Sequence, residues 1–147
     1  MVRLLHRAAS GEGAEVPRVT LQKIAEASRG RPRAALNMLQ KLIADPDAGA
    51  DALAAVEQLE AKAIDLYNAM MRDQGWKAAR SVLADLKAAG DDPETIRRFV
   101  LACCANELLK KDSDRSALIM DEFVSPFYDT GFPGLVFAVY SAIRAGQ

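Results

Sequence analysis

The chain has a single histidine, His6, and only two cysteines, the adjacent pair Cys103 and Cys104. One histidine excludes His-based metal clusters, and a Ser-His-Asp triad would depend on that residue alone. Two neighbouring cysteines supply neither a disulfide framework nor a four-ligand zinc site. No apolar run approaches the ~18 residues that a membrane span requires. The first residues, Met1 to Gly13, lack the sustained apolar stretch and cleavage pattern of a secretory signal. These absences point to a reduced, cytoplasmic setting. β-Branched residues are sparse and scattered, and few segments alternate with period two, so little in the chain asks for a sheet.

What is present favours helix. The 147 residues suit one ordinary domain or two small ones. Half of them are hydrophobic, enough for a packed core. There are 27 alanines, with many Leu, Glu, Lys and Arg, and alanine is the strongest helix former. The expected fold class is all-α.

Nineteen Lys and Arg stand against twenty Asp and Glu, but the charges are unevenly placed. Residues 1–45 carry a formal +4 and residues 46–147 carry −5. The change falls at Ala44 to Gly49, a stretch of turn formers. The expected division is a small basic unit, 1–45, and a larger acidic one, 50–147.

The basic unit reads as three short helices. The first covers Val2–Ala9. The second covers Leu21–Ser28, with Thr20 as N-cap and Leu21, Ile24 and Ala25 on one face. Pro32 opens the third in the first turn, where its missing N–H costs nothing; it runs to about Ala44 with Leu36, Leu39 and Ile43 inward. The acidic unit reads as about five helices. Val56, Leu59, Ala63, Leu66 and Met70 form one stripe. A second helix covers Trp76 to Ala89. A third opens at Asp92-Pro93 with Ile96, Phe99, Val100, Cys103 and Leu108 inward. A fourth is capped by Ser113 or Asp114 and ends near Pro126. The last follows the turn Asp129 to Gly134, with Val136, Val139, Tyr140 and Ile143 inward.

The segment richest in chemistry is Ser28 to Asn37, where a Gly- and Pro-containing turn delivers Arg29, Arg31 and Arg33 to a helix start. A helix N-terminus favours anions through its free N–H groups and dipole, and arginine meets a phosphate with a two-pronged fork. The plainer reading is a solvated basic turn. Elsewhere the plain readings prevail. Leu118 to Glu122 mimics an apolar strand ending in Asp121 and Glu122, yet Ile119 and Phe123 stand four apart as on a helix. Cys103 and Cys104 read as small hydrophobes. Trp76 reads as a core anchor. His6, Arg97-Arg98 and Lys110-Lys111 read as surface groups.

The segment Leu21 to Gln40 resembles the lid of an AAA+ ATPase, and is most similar to small subunits of sliding-clamp loaders. Those carry a Gly-x-x-Arg-x-Ala-Leu-Asn pattern, matched here by Gly30, Arg33, Ala35, Leu36 and Asn37. The Trp76-Lys77 helix, the helix opening Asp92 to Arg98 and the tail Phe123 to Leu135 resemble, more loosely, the collar of phage-type loaders. The resemblance implies a three-helix lid followed by a helical-bundle collar that associates with other loader subunits. It implies ATP as the ligand of the intact assembly, with Arg33 as the sensor-2 arginine and Gly30 and Pro32 shaping its turn. It also implies a place in loading a sliding clamp onto primer–template DNA. One departure is large: none of the nine glycines precedes a lysine, so the phosphate-cradling G-x-x-x-x-G-K-[ST] loop is missing. The resemblance therefore covers only the C-terminal part of such an ATPase, and this chain alone is not expected to hydrolyse ATP. The rival expectation is a free-standing helical adaptor that binds a protein partner and has no nucleotide role.

Overall fold

In the computed structural model, residues 1–72 and 75–146 are described. They form eight α-helices and no strand: α1 Val2–Gly11, α2 Arg18–Ala27, α3 Pro32–Ala44, α4 Pro46–Met71, α5 Gly75–Ala88, α6 Pro93–Lys110, α7 Asp114–Phe123 and α8 Gly131–Ala145. The fold is all-α. Among the described residues, no helix is long and apolar enough to cross a membrane.

Proline and small polar caps set most of the starts. Pro32 and Pro93 occupy the first turns of α3 and α6. The Asp92 carboxylate accepts from the Thr95 N–H at 2.8 Å and from its hydroxyl at 2.7 Å. Of the two candidates for α7, Ser113 is the cap, its hydroxyl accepting from the Ser116 N–H at 3.2 Å, while Asp114 is the first helical residue. Helix α2 differs from expectation. It begins at Arg18, with Pro17 in the cap position and no side-chain cap, which places Thr20 inside the first turn. Helix α8 starts at Gly131, so the Gly-Phe-Pro-Gly segment is helical. Of the expected inward residues, Val139 and Ile143 are buried and Val136 packs partly buried against the core; Leu135, Ala138 and Ala142 complete the stripe, and Tyr140 is exposed.

The chain forms two compact units, Met1–Gln58 and Leu59–Gln147. The division lies inside α4, not at the turn formers 44–49. Those residues start a helix instead of linking domains: the Asp45 carboxylate accepts from the Ala48 N–H at 3.1 Å, and Pro46 follows as the first helical residue. Asp47, Asp51 and Glu57 thereby join the first unit. It holds eight basic and seven acidic residues, a formal +1, against eleven and thirteen, a formal −2, in the second. Lys23 and Glu57 pair at 3.2 Å within the first unit.

Each unit has its own core. The first packs Leu5, Leu21, Ile24, Ala35 and Leu39 from α1, α2 and α3. The second packs residues of α4 to α8, with Leu66, Met70, Ile96, Phe123 and Ile143 fully buried. Gly49 marks a close approach in the first unit. A Cβ there would lie 2.5 Å from the Leu42 Cα, a backbone atom that cannot swing aside. Elsewhere in a helix Gly→Ala gains about 1 kcal/mol. Here Gly49→Ala should instead lower stability, by about 1–2 kcal/mol. A urea midpoint that rises in the variant would show that α3 and α4 do not meet this closely.

Arg97 overturns the expectation of a solvated Arg97-Arg98 pair. Its side chain is largely buried, bonded to the Glu94 carboxylate through Nε at 2.9 Å and donating from one terminal nitrogen to the Phe123 and Val124 carbonyls at 2.9 and 3.0 Å. Glu94 also accepts from the Phe127 N–H at 3.0 Å. One carboxylate and one guanidinium thus tie the start of α6 to the end of α7 and the following loop. Arg98 is exposed as expected, donating to the Tyr128 hydroxyl at 2.8 Å. Of the two lysines, Lys110 is exposed and Lys111 pairs with Glu107 at 2.9 Å.

Candidate functional site

The arginine turn is built outward from Ser28. This residue ends α2, is fully buried, and donates its hydroxyl to the Ala25 carbonyl at 2.8 Å. The chain then reverses through two residues with positive φ, Arg29 at 50° and Gly30 at 74°. The Arg31 N–H closes the turn on the Ser28 carbonyl at 3.1 Å. Gly30 suits this conformation because it lacks a Cβ. A left-handed arginine costs about 1 kcal/mol or more, so the turn holds Arg29 against its own preference.

Helix α3 leaves this turn directly. Arg31 stands at its N-cap position without a side-chain cap, and Pro32 is its first residue. The early N–H groups of such a terminus have no partner inside the helix. The motif residues then divide by face. Ala35 is buried and Leu36 half-buried, whereas Arg33 and Asn37, four apart on one side of the helix, are exposed. The arginines divide as well. Arg31 folds back, its Nε 3.4 Å from the Ser28 carbonyl. Arg33 makes no hydrogen bond or ion pair among the described residues. Gly30, Pro32 and Arg33 therefore form one continuous structure, with Arg33 as its unengaged cation.

The apolar groove of about 600 Å³ in the first unit lies away from the turn, between Val16, Val19, Ile43 and Leu53, with Lys23 and Glu57 at its edge. Asp121 and Glu122 lie in α7, as the helical reading expects. Among the described residues, no three His, Cys, Asp or Glu side chains gather as a metal site. Cys103 and Cys104 are free thiols. Cys104 is buried in the second core, and burial pushes its thiol up to about 12. Trp76 is half-buried against the second core, and its ring meets Tyr140 edge-on at 5.2 Å. His6 is exposed on α1.

Comparison with known proteins finds no family, no curated relative and no solved structure that matches the chain.

Proposed function

We propose that this chain is the lid and collar portion of a clamp-loader AAA+ ATPase subunit, acting in ATP-dependent loading of a sliding clamp onto primer–template DNA. The observation that carries the reading is the Ser28 to Asn37 turn. It sets an unengaged Arg33 beside an uncapped helix N-terminus, an arrangement suited to a nucleotide phosphate. Arg33 is the sensor of nucleotide state, Gly30 and Pro32 shape its turn, and ATP binds only in the intact assembly. The second unit serves as the collar that meets other loader subunits; clamp and DNA are reached through an ATPase core that this sequence does not contain. The rival adaptor reading draws on the exposed aromatic face of the second unit, where Phe137 is 69% exposed beside Phe132 and Val136. Both readings use that face, and they separate on Arg33.

The test is nucleotide affinity and DNA-stimulated ATPase rate in a loader assembled with this chain. Loss of a charge-assisted bond is worth about 1.5–3 kcal/mol, on the order of ten- to a hundredfold. Arg33→Ala should weaken nucleotide binding by that factor. Arg33→Lys should recover only part, because it keeps the charge and loses the fork. Arg31→Ala should matter less, because that side chain is tied back onto its own turn. Normal nucleotide response in an Arg33→Ala assembly that forms and melts normally would refute the sensor role. Failure of the chain to co-purify with any loader subunit would favour the adaptor.

A further inference from the structure

A second basic surface in the first unit is independent of Arg33. Residues of α1 and α2 border an open concavity of about 1100 Å³ whose polar lining is Arg3, His6, Arg7 and Arg18. No carboxylate lines it. Glu15 shares an adjoining hollow with His6. Arg3, Arg7 and Arg18 are exposed, and none has a hydrogen bond or ion pair among the described residues. Three unpaired guanidinium groups around one hollow repel each other and gain by sharing an anion.

Their placement argues for an extended anion. Arg3 and Arg7 are one turn apart on the same side of α1, and Arg18 enters from the first turn of α2, whose N-terminus has no side-chain cap. The cations thus come to one hollow from two helices. The rest of the lining, Met1, Val2, Val16 and Leu21, is aliphatic. Apart from the His6 imidazole no ring lines the hollow, so stacking is limited to one position and recognition falls chiefly to the phosphates. A membrane surface fits less well. The apolar stripe of α1 is already spent on the core through Leu5 and Ala9, and a hollow grips a strand where a flat bilayer meets only protrusions.

We propose that the α1–α2 concavity binds the phosphate backbone of a single nucleic-acid strand without regard to sequence. Arg3, Arg7 and Arg18 each take a phosphate, and the strand runs along α1.

The test is fluorescence anisotropy of the full chain with a labelled oligothymidine of roughly twenty nucleotides. Three phosphate contacts on a single strand give a log–log salt slope of about −2, or about 20-fold weaker binding between about 50 and about 200 mM salt. The triple variant Arg3→Ser, Arg7→Ser, Arg18→Ser should lose at least about tenfold in affinity and most of that slope. A control removes as much charge from exposed positions of the second unit, with Arg80→Ser, Lys87→Ser and Lys110→Ser, and should bind as the parent does. Oligoadenosine should match oligothymidine. The proposal falls if the parent chain does not bind, or if the two triple variants lose affinity alike. It also falls if tripolyphosphate binds as tightly as the oligonucleotide, which would mark a small-anion site. Binding to anionic phosphatidylglycerol vesicles without binding to the strand would make the surface a membrane contact and overturn it too.

Discussion

Replacing Glu94 with alanine should destabilise the second unit by about 3–5 kcal/mol, the range for breaking a buried ion pair by removing one partner. The Glu94 side chain is 7% exposed and that of Arg97 11%. Without the carboxylate, the guanidinium stays in place on the Phe123 and Val124 carbonyls with its charge uncompensated, and the Phe127 N–H loses its acceptor. Glu94→Gln keeps an acceptor for Phe127 and loses only the charge, so about 2 kcal/mol is expected. Acidity supplies a second readout. The Arg97 hydrogen bonds hold the Glu94 carboxyl at about 2, below its ordinary 4.5, against the opposing effect of burial. A carboxyl depressed in the folded state contributes stability above its unfolded pKa and loses it as pH falls towards the folded one. The stability gap between the parent and Glu94→Gln should therefore be constant at neutral pH and narrow below about 4.5. Urea midpoints measured from about pH 7 to about pH 3 decide the matter. A gap that does not narrow would show that the glutamine variant loses packing rather than charge.

Much of the helical framework was legible because short-range rules decide it. The inward stripe of α4 could be read as far as Ala63, Leu66 and Met70, all fully buried. Pro32 and the Asp92-Pro93 pair marked helix starts because proline and a capping carboxylate act on their own turn. Long-range partners were not legible. Glu94 reads as an ordinary first-turn acid, and only the fold brings Phe127, thirty-three residues on, to its carboxylate. Arg97 looked solvated for the same reason. Turn formers announce a break in the chain, and here the break is the single residue Asp45 between two helices, while the compact units divide inside α4. At the candidate site, the motif pointed to Gly30, Pro32 and Arg33, and the structure adds that Arg33 and Asn37 share an exposed face. That Arg31 folds back while Arg33 stays clear depends on positive φ at Arg29, a conformation that no arginine advertises.

Phe123→Ala should cost about 3–5 kcal/mol, as truncating a buried aromatic ring does, and the loss should fall on one unit alone. Phe123 is fully buried at the end of α7 and meets Phe127 edge-on, with ring centres 5.9 Å apart. Its carbonyl accepts from Arg97, so the cavity opens beside the Glu94 network and weakens that as well. Phe123→Leu refills most of the volume and forfeits the ring pair, for about 1–2 kcal/mol. The core of the first unit, with Leu21, Ile24 and Leu39, contains no residue of α7 or α8, so the cavity opens in the other core. Hydrogen exchange reads this directly. In Phe123→Ala, amides of Pro93–Lys110 and Gly131–Ala145 should exchange faster, while those of Arg18–Ala27 and Pro32–Ala44 keep the protection of the parent chain. Equal acceleration in both units would mean that α4, which spans the division, couples the two cores into one cooperative structure. Protection retained in the first unit would establish it as a body that holds the arginine turn and the α1–α2 concavity in place whether or not the second unit is folded.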